Sequence, residues 1–364
     1  MLRKLVVVSA AAVVLGLAAF WFLTIPATIP SSALGPHTPD LANGKELFYA
    51  GGCASCHAVP KQEDKTRLGG GLALASPFGT FYVPNISSDR TDGIGAWTEA
   101  EFITAMVKGT SPAGDHLYPA FPYTSYQRMT FNDLRDLFAY LKTLPAVQGR
   151  VRGHELPFPF NIRRTLGAWK LLFLDGDTFK PDPAQSAQWN RGAYLVNGPG
   201  HCAECHSPRN IVGAVIPERR FTGGPSPDGK GGVPNITQYK LKDWKVSDIV
   251  DTLTTGMTPD ADFIGGAMTE VVRSTSQLSA ADREAIATYV KSLPPVDGSA
   301  ATKKQRTKRS ASLAAFAAEV PASTSMAPKK SVNARHNTGH DQSSAAWAGI
   351  KPPQCIPSRL SDSN

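Results

Sequence analysis

Two short stretches of the chain carry cysteine and histidine at the same spacing. They read Cys53-Ala54-Ser55-Cys56-His57 and Cys202-Ala203-Glu204-Cys205-His206. Cys-x-x-Cys-His is the attachment pattern of a c-type haem, in which two thiols bond the porphyrin and the adjacent histidine ligates the iron. The two stretches therefore predict two covalently bound haem c groups, and redox chemistry is the first hypothesis for this chain.

Cys-x-x-Cys on its own is also found in thiol redox motifs and in zinc sites. Pooled together, the two stretches offer six nitrogen and sulfur ligands, so a single zinc site is an alternative. However, each stretch heads its own copy of a longer repeat, and one zinc ion would not need two complete copies. We therefore expect haem rather than zinc or a dithiol pair.

The repeat extends well beyond the motifs. Cys202 follows Cys53 by 149 residues, and the matching segments stay within two positions of that spacing. Such self-similarity predicts two structural units of one kind. The matching segments are Gly44-Lys45-Glu46-Leu47 with Gly192-Ala193-Tyr194-Leu195, Val83-Pro84-Asn85-Ile86 with Val233-Pro234-Asn235-Ile236, and Tyr140-Leu141-Lys142-Thr143-Leu144-Pro145 with Tyr289-Val290-Lys291-Ser292-Leu293-Pro294.

The sequence pattern of each copy predicts a small, mainly α-helical domain. A helix is expected to enter each motif from near Asn43 or Asn190. A short helix should follow Trp97, where Thr98 and Glu101 have the spacing of a capping box.

The last helix of each copy has clear start and stop signals. Thr130 and Ser279 are the expected N-caps of helices over residues 131–144 and 280–293, and a proline follows each helix. One face of each helix carries an apolar stripe that would face a core.

Three other segments complete the predicted organisation. Residues 1–30 form a signal-anchor or transmembrane segment, because residues 5–23 are apolar, uncharged and preceded by Arg3 and Lys4. Cleavage near Ser31-Ser32-Ala33 is the alternative. The copies span residues 40–146 and 189–296. Residues 147–188 are rich in proline and aromatics and are expected to pack between them, whereas residues 297–364 are expected to be a disordered tail.

The charge pattern excludes one class of function. The net charge is +8, but residues 297–364 hold ten Lys/Arg against four Asp/Glu, while residues 5–296 hold 26 of each. Nucleic-acid binding requires a basic folded surface, and the balanced charge of residues 5–296 gives no support for one.

Several stretches resemble the multi-haem cytochrome c subunits of bacterial membrane-bound alcohol, gluconate and fructose dehydrogenases. They are Tyr82-Val83-Pro84-Asn85-Ile86, Gly93-Ile94-Gly95-Ala96-Trp97, residues 116–126 (HLYPAFPYTSY) and residues 200–210 (GHCAECHSPRN). The resemblance covers about residues 40–296. It implies two tandem class I cytochrome c-like domains after an N-terminal transmembrane helix. Those subunits usually carry three haems, so this chain resembles the diheme members.

The cytochrome c fold implies a distal iron ligand, usually a methionine from the loop before the last helix. In copy two the candidate is Met268, with Met257 as the alternative. In copy one the family usually has its methionine where this chain has Phe121. Met129 is the candidate there, with His116 or an open site as alternatives.

Two tryptophan and asparagine pairs recur in both copies. Trp97, Trp244, Asn85 and Asn235 are candidates for hydrogen bonds to the haem propionates, with simple packing of the indoles as the alternative.

Taken together, the sequence predicts a diheme electron carrier anchored in the inner (cytoplasmic) membrane with its haem domains in the periplasm. A periplasmic or membrane-bound dehydrogenase would be its electron donor, and a terminal oxidase or soluble cytochrome its acceptor. The alternative is a diheme enzyme, of the peroxidase or thiosulfate dehydrogenase type, that uses the first haem as its active site. No further catalytic constellation accompanies the motifs.

Overall fold

The computed structural model of this protein describes residues 1–226 and 231–298. These ranges are mainly helical, as the sequence predicts. The predicted tail lies outside the described residues from position 299 onward. The helices are α1 (Leu2–Leu23), α2 (Leu41–Ala50), α3 (Cys53–His57), α4 (Glu99–Lys108), α5 (Tyr123–Tyr126), α6 (Phe131–Thr143), α7 (Thr165–Phe173), α8 (Ala187–Asn197), α9 (Ala203–His206), α10 (Gln238–Leu241), α11 (Val246–Thr255), α12 (Met268–Thr275) and α13 (Ala280–Lys291).

Little β-structure accompanies these helices in the described ranges. Strands β1 (Ala73–Ser76) and β2 (Gly79–Tyr82) form one antiparallel hairpin, and β3 (Gly224–Pro225) and β4 (Gly232–Val233) form another. Single turns of 3-10 helix lie at Ser31–Ala33 and Pro217–Arg219.

Helix α1 is apolar and uncharged after Arg3 and Lys4, and it has no buried residue. Its 22 residues make it long and apolar enough to cross a membrane. The next residue, Thr24, is buried, so the helix ends where the chain meets the folded part of the molecule.

The helix ends follow from local capping. Thr98 and Glu101 form the predicted capping box at the start of α4, and Thr130 and Ser279 cap α6 and α13 as predicted. The helices before the motifs begin earlier than predicted, because Asp40 and Ser186 supply the capping oxygens instead of Asn43 and Asn190.

In each copy the helix that precedes the motif packs against the last helix: α2 on α6, and α8 on α13. A glycine makes each crossing close. A Cβ on Gly44 would lie 2.2 Å from the carbonyl oxygen of Asp136, and one on Gly192 would lie 1.9 Å from that of Ala285. The same close helix pair is therefore built twice.

The buried apolar side chains of both copies join into one cluster, which runs from Leu47 to Leu293. The segment between the copies is attached to both. Phe179 donates its backbone N–H to the Arg128 carbonyl at 3.0 Å, and its ring packs on Tyr194 at 5.5 Å. Phe179 therefore connects this part of the segment to both copies.

Candidate haem sites

Both motifs fold into single helical turns that end at the predicted proximal histidine. His57 Nδ1 donates a hydrogen bond to the carbonyl oxygen of Pro84 at 2.9 Å, and His206 Nδ1 donates to Pro234 at 2.9 Å. With the proton on Nδ1, the lone pair of Nε2 is left for a metal. A histidine that ligates a metal usually donates its other ring N–H to a carbonyl or carboxylate oxygen in this way, and the arrangement occurs in both copies.

Burial sets the charge state of these groups. It lowers the pKa of His57 to about 4, although the bond to Pro84 acts in the opposite direction, and it also lowers the pKa of His206. Both imidazoles are therefore neutral, the form that ligates metals. Burial raises the pKa of Cys53 and of Cys202 to about 12, and the four motif thiols form no disulfide.

In the structure both asparagines donate hydrogen bonds to the backbone, and their role toward the propionates stays a prediction. Asn85 Nδ2 donates to the carbonyl oxygens of Val147 at 2.7 Å and Gly149 at 3.2 Å. Asn235 Nδ2 likewise donates to Val296 at 2.8 Å. Each asparagine directly follows the proline whose carbonyl oxygen accepts the hydrogen bond from the histidine. By bonding to the backbone, the asparagine positions that proline.

Two glycines without an assigned role in the sequence complete this arrangement. Gly70 and Gly223 have φ of 71° and 75°, and their N–H groups bond to the His57 and His206 carbonyls, both at 2.8 Å. A Cβ on either glycine would lie 2.4–2.5 Å from the carbonyl oxygen of Val83 or Val233. Their signal in the sequence is weak, because they are 153 residues apart and fall out of the register of the repeat.

Trp97 and Trp244 are half-buried and pack against the apolar core. In residues 1–226 and 231–298, neither indole N–H donates a hydrogen bond to the protein, whereas Trp169 and Trp189 both do. The propionate role of Trp97 and Trp244 stays a prediction.

The backbone fixes how the distal loops of the two copies correspond. Leu117 N bonds to Gly109 O at 2.7 Å, and Ile264 N bonds to Gly256 O at 2.8 Å. This register pairs Met268 with Phe121. Met268 begins α12, is half-buried and packs against the core. Phe121 packs in copy one against Tyr126, with ring centroids 5.4 Å apart.

Met129 is 1% exposed and follows Tyr126, whose carbonyl accepts its N–H at 3.0 Å. Leu278 has the same backbone bond in copy two, to Thr275 at 3.2 Å. The Met129 side chain reaches Gly198, with its Cγ 3.6 Å from where a Cβ of that glycine would lie.

The other candidate ligands have different surroundings. His116 is buried and donates from Nε2 to the carbonyl oxygen of Thr24 at 2.9 Å, at the end of α1. Met257 is exposed, and Met106, the methionine of copy one besides Met129, is buried within α4. His116 therefore binds the end of the apolar helix, which was not foreseen from the sequence.

Among the described residues, no group of three or more His, Cys, Asp or Glu side chains is placed to hold a metal ion by itself. The pooled zinc site considered above has no counterpart there. A thiol pair next to a neutral histidine with a free Nε2 is the donor set that a covalently bound haem requires, and the residues present fit that group.

Comparison with known proteins agrees with this geometry. The family model named cytochrome c matches residues 41–145. A protein named diheme cytochrome c-type, from Cereibacter sphaeroides, is 46% identical over 299 residues, which are 82% of this chain and 100% of that protein. The chain belongs to the cytochrome c family.

Two longer proteins are also similar to this cytochrome. The fructose dehydrogenase cytochrome subunit of Gluconobacter japonicus is 37% identical over 270 residues, 73% of this chain and 54% of the subunit. A nicotinate dehydrogenase subunit from Pseudomonas putida is 40% identical over 254 residues, 70% of this chain and 21% of that protein. The cytochrome therefore spans about half or less of these two relatives.

The two motifs of this cytochrome also lie at a shared internal surface. Glu204, inside the second motif, accepts hydrogen bonds from Thr124 Oγ1 at 2.8 Å and Ser125 Oγ at 3.0 Å. Ser55, at the same place in the first motif, contacts Ser274 Oγ at 3.5 Å. Each motif thus packs against the helix before the last helix of the other copy.

Glu204 is kept charged at this surface. Burial alone would raise its pKa, but Arg209, at 2.7 Å, and the two hydroxyl donors hold the pKa below its ordinary value. The second cysteines of the two motifs are neighbours as well: burial raises the pKa of Cys56, and the nearby Cys205 thiol adds to that rise.

Proposed function

We propose that this protein is a membrane-anchored diheme electron carrier. Cys53, Cys56 and His57 would hold one haem c, and Cys202, Cys205 and His206 the second. The observation that carries the proposal is the pair of histidine–proline hydrogen bonds, both 2.9 Å long, which leave Nε2 of both histidines free. When bound, haem c supplies a one-electron couple at each site.

The residues around each motif would hold and tune that group. The asparagine and glycine of each copy fix the proline carbonyl, and the carbonyl fixes the imidazole plane and keeps its proton on Nδ1. Cys53, His57 and Cys202 are half-buried and His206 is buried, which would shield this side of each site from water in part.

Each copy would be one cytochrome c-like domain, over residues 40–146 and 189–296, joined by residues 147–188. The repeated helix pairs and the repeated histidine–proline bond support this division. The continuous apolar cluster and the contacts of Glu204 and Ser55 would keep the two sites in a fixed relation, which transfer between them requires.

Met268 and Met129 are the proposed distal ligands of the second and first sites. Met268 is supported by its place at the start of α12 and its packing against the core. For the first site, Met106 and Met129 are the methionines between Cys53 and Cys202. Met106 lies within α4, which leaves Met129, one turn beyond Tyr126.

The anchor and the partners complete the proposal. Helix α1 would span the inner membrane and leave the haem domains in the periplasm, where c-type haem is attached. The name of the Gluconobacter japonicus relative supports a dehydrogenase as the electron donor. A terminal oxidase or a soluble cytochrome would accept the electrons one at a time.

Reduction of the purified protein tests this function. When the purified protein is added to membranes that contain a partner dehydrogenase, the substrate of that dehydrogenase should reduce both haems, and a membrane oxidase should reoxidise them. The protein alone should show no turnover with peroxide or thiosulfate. Substantial turnover with either compound, without a partner protein, would make the first site an active site and would contradict the carrier.

A further inference from the structure

Helix α7 buries a charged side chain and exposes apolar ones, the reverse of the usual pattern for a helix at an aqueous surface. It buries Gly167 and Lys170, while Leu171 and Leu172 are 59% and 75% exposed. Lys170 Nζ donates to the carbonyl oxygens of Lys108 at 2.7 Å and Gly109 at 2.5 Å, at the end of α4. A helix at an aqueous surface normally turns its charged side chains outward and its leucines inward.

The exposed leucines belong to a larger apolar face. Of the eleven exposed large apolar side chains in the described residues after position 25, seven lie in the segment between the copies or in a loop that touches it. Such a concentration marks an interaction surface on a soluble domain. We call it the apolar face; its members are Phe158, Phe160, Ile162, Leu171, Leu172, Ile211 and Val212.

Specific contacts hold the parts of the apolar face together. Trp169 Nε1 donates to the carbonyl oxygen of Val212 at 2.9 Å, which ties α7 to the loop that carries Ile211. The Phe78 ring packs on Phe160 with centroids 5.1 Å apart, and it also lies against Gly213.

The apolar face begins where α1 ends. A Cβ on Gly167 would lie 2.5 Å from the Cβ of Thr24, so α7 rests directly on that residue. Arg164 donates to Thr24 Oγ1 at 2.9 Å and to the Trp21 carbonyl, and its guanidinium stacks 4.2 Å from the Trp21 ring. The end of the apolar helix and the apolar face are thus one continuous surface.

We propose that the apolar face is immersed in the outer lipid–water interface around the end of α1, so that the protein is held to the bilayer by a face as well as by a span. The proposal rests on the membrane anchoring suggested above. Contact with lipid explains why α7 exposes leucine and buries lysine. Trp21 at the end of the span and Arg163 beside the face suit the headgroup region, where amphipathic aromatics and cations collect.

Lipid contact fixes an orientation that a single span would leave free. The segment between the copies would lie at the membrane surface, and copy one, which contacts α1 through His116, would be the copy nearer to the bilayer.

Spin labels on the full, haem-loaded chain test the proposal in vesicles of phosphatidylcholine and phosphatidylglycerol. In a Cys355→Ser background, the thioether bonds occupy the other four cysteines, so single labels can be placed by Leu172→Cys, Phe263→Cys and Leu15→Cys. Phe263 is the matched control, because it is 69% exposed but does not belong to the apolar face. Leu15 reports on α1 itself. The readout is the accessibility of each label to oxygen in the lipid and to a water-soluble nickel chelate.

The Leu172 label should be several-fold more accessible to oxygen and less accessible to the chelate than the Phe263 label. If it is as accessible to the chelate as the Phe263 label, the proposal is overturned and the face is left for a protein partner. The Leu15 label separates this result from a failure of the anchor: lipid contact at Leu15 with water at Leu172 rejects the face alone, and water at Leu15 rejects the span.

Discussion

The same loop is built in both copies but meets different surroundings. In copy one Ser111 N bonds to Asp115 O, and in copy two Thr258 N bonds to Asp262 O. The next residue is His116 in copy one, buried against Thr24, and Phe263 in copy two, which is exposed. Further along, Phe121 of copy one stands at the position of Met268, the proposed distal ligand in copy two.

This comparison separates two kinds of residue. Features that both copies share, such as the glycine at the helix crossing and the histidine–proline bond, are those expected of a haem site. Features that differ reflect the neighbours of each copy: His116 of copy one bonds to Thr24 at the end of α1, whereas Phe263 of copy two is exposed.

The distal ligands give the largest expected effect on the comparison. Met268→Leu should remove one near-infrared sulfur-to-iron band and lower one midpoint potential, because methionine ligation raises the potential of a haem. Met129→Leu should do the same to the other haem. Leucine is the residue that copy two itself has at the position of Met129, so packing should be retained. Two unchanged potentials in Met129→Leu would mean that this methionine only packs, as Leu278 does.

The helix crossings of the two copies should be equally sensitive to substitution of their glycines. Gly44→Ala and Gly192→Ala each place a Cβ within 2.2 Å of a backbone carbonyl oxygen, so the helices must separate, which we expect to cost about 3 kcal/mol of unfolding free energy. Gly35→Ala, with nothing within 4 Å of its Cβ, is the control. Chemical denaturation measures the loss, and a clear difference between the two copies would contradict their equivalence.

Exchanging the residues that differ should affect copy one more than copy two. His116→Phe leaves the buried Thr24 carbonyl without a donor and should cost about 1–3 kcal/mol. Phe263→His changes an exposed position and should stay within about 0.5 kcal/mol. Equal losses in the two variants would show that His116 has no special role at the end of α1.

The pH dependence of stability sharpens the same test. Burial lowers the pKa of His116 below its ordinary value of 6.5, so below that pH the unfolded chain binds the proton more readily than the folded chain. Stability should therefore fall as the pH drops below 6.5. His116→Phe should lose this part of the dependence, as measured by unfolding at a series of pH values.

The surface between the motifs should show a smaller asymmetry. Glu204→Gln removes the charge that pairs with Arg209 but keeps an acceptor for Thr124 and Ser125, so about 1 kcal/mol is expected. Ser55→Ala loses two long contacts, to the Glu270 carbonyl oxygen at 3.3 Å and to Ser274 Oγ at 3.5 Å, and should change stability by less than about 0.5 kcal/mol. The comparison fails if Ser55→Ala costs as much as Glu204→Gln in thermal unfolding.

Much of this arrangement could be predicted from local sequence signals. The motifs, the caps at Thr98, Thr130 and Ser279, and the apolar span are short-range patterns, and the 149-residue repeat is recognised because such short patterns recur in the same order. The helix starts at Asp40 and Ser186 were missed by a few residues, because several polar residues there compete as caps.

The missed features depend on contacts between distant parts of the chain. The engagement of Asn85 with Val147, the close approach of Gly70 to Val83, and the bond from His116 to Thr24 are invisible in any local pattern. The exposed face of α7 was also missed, since its apolar sequence resembles that of a buried segment, and only the folded chain shows which side faces outward.

The mass of the intact, exported protein tests the central claim, two covalent haems on two equivalent sites, most directly. Under denaturing conditions the chain should carry the added mass of two haems, and Cys53→Ala/Cys56→Ala and Cys202→Ala/Cys205→Ala should each carry one. A wild-type chain with one haem or none, or a double variant that still carries two, would contradict the account.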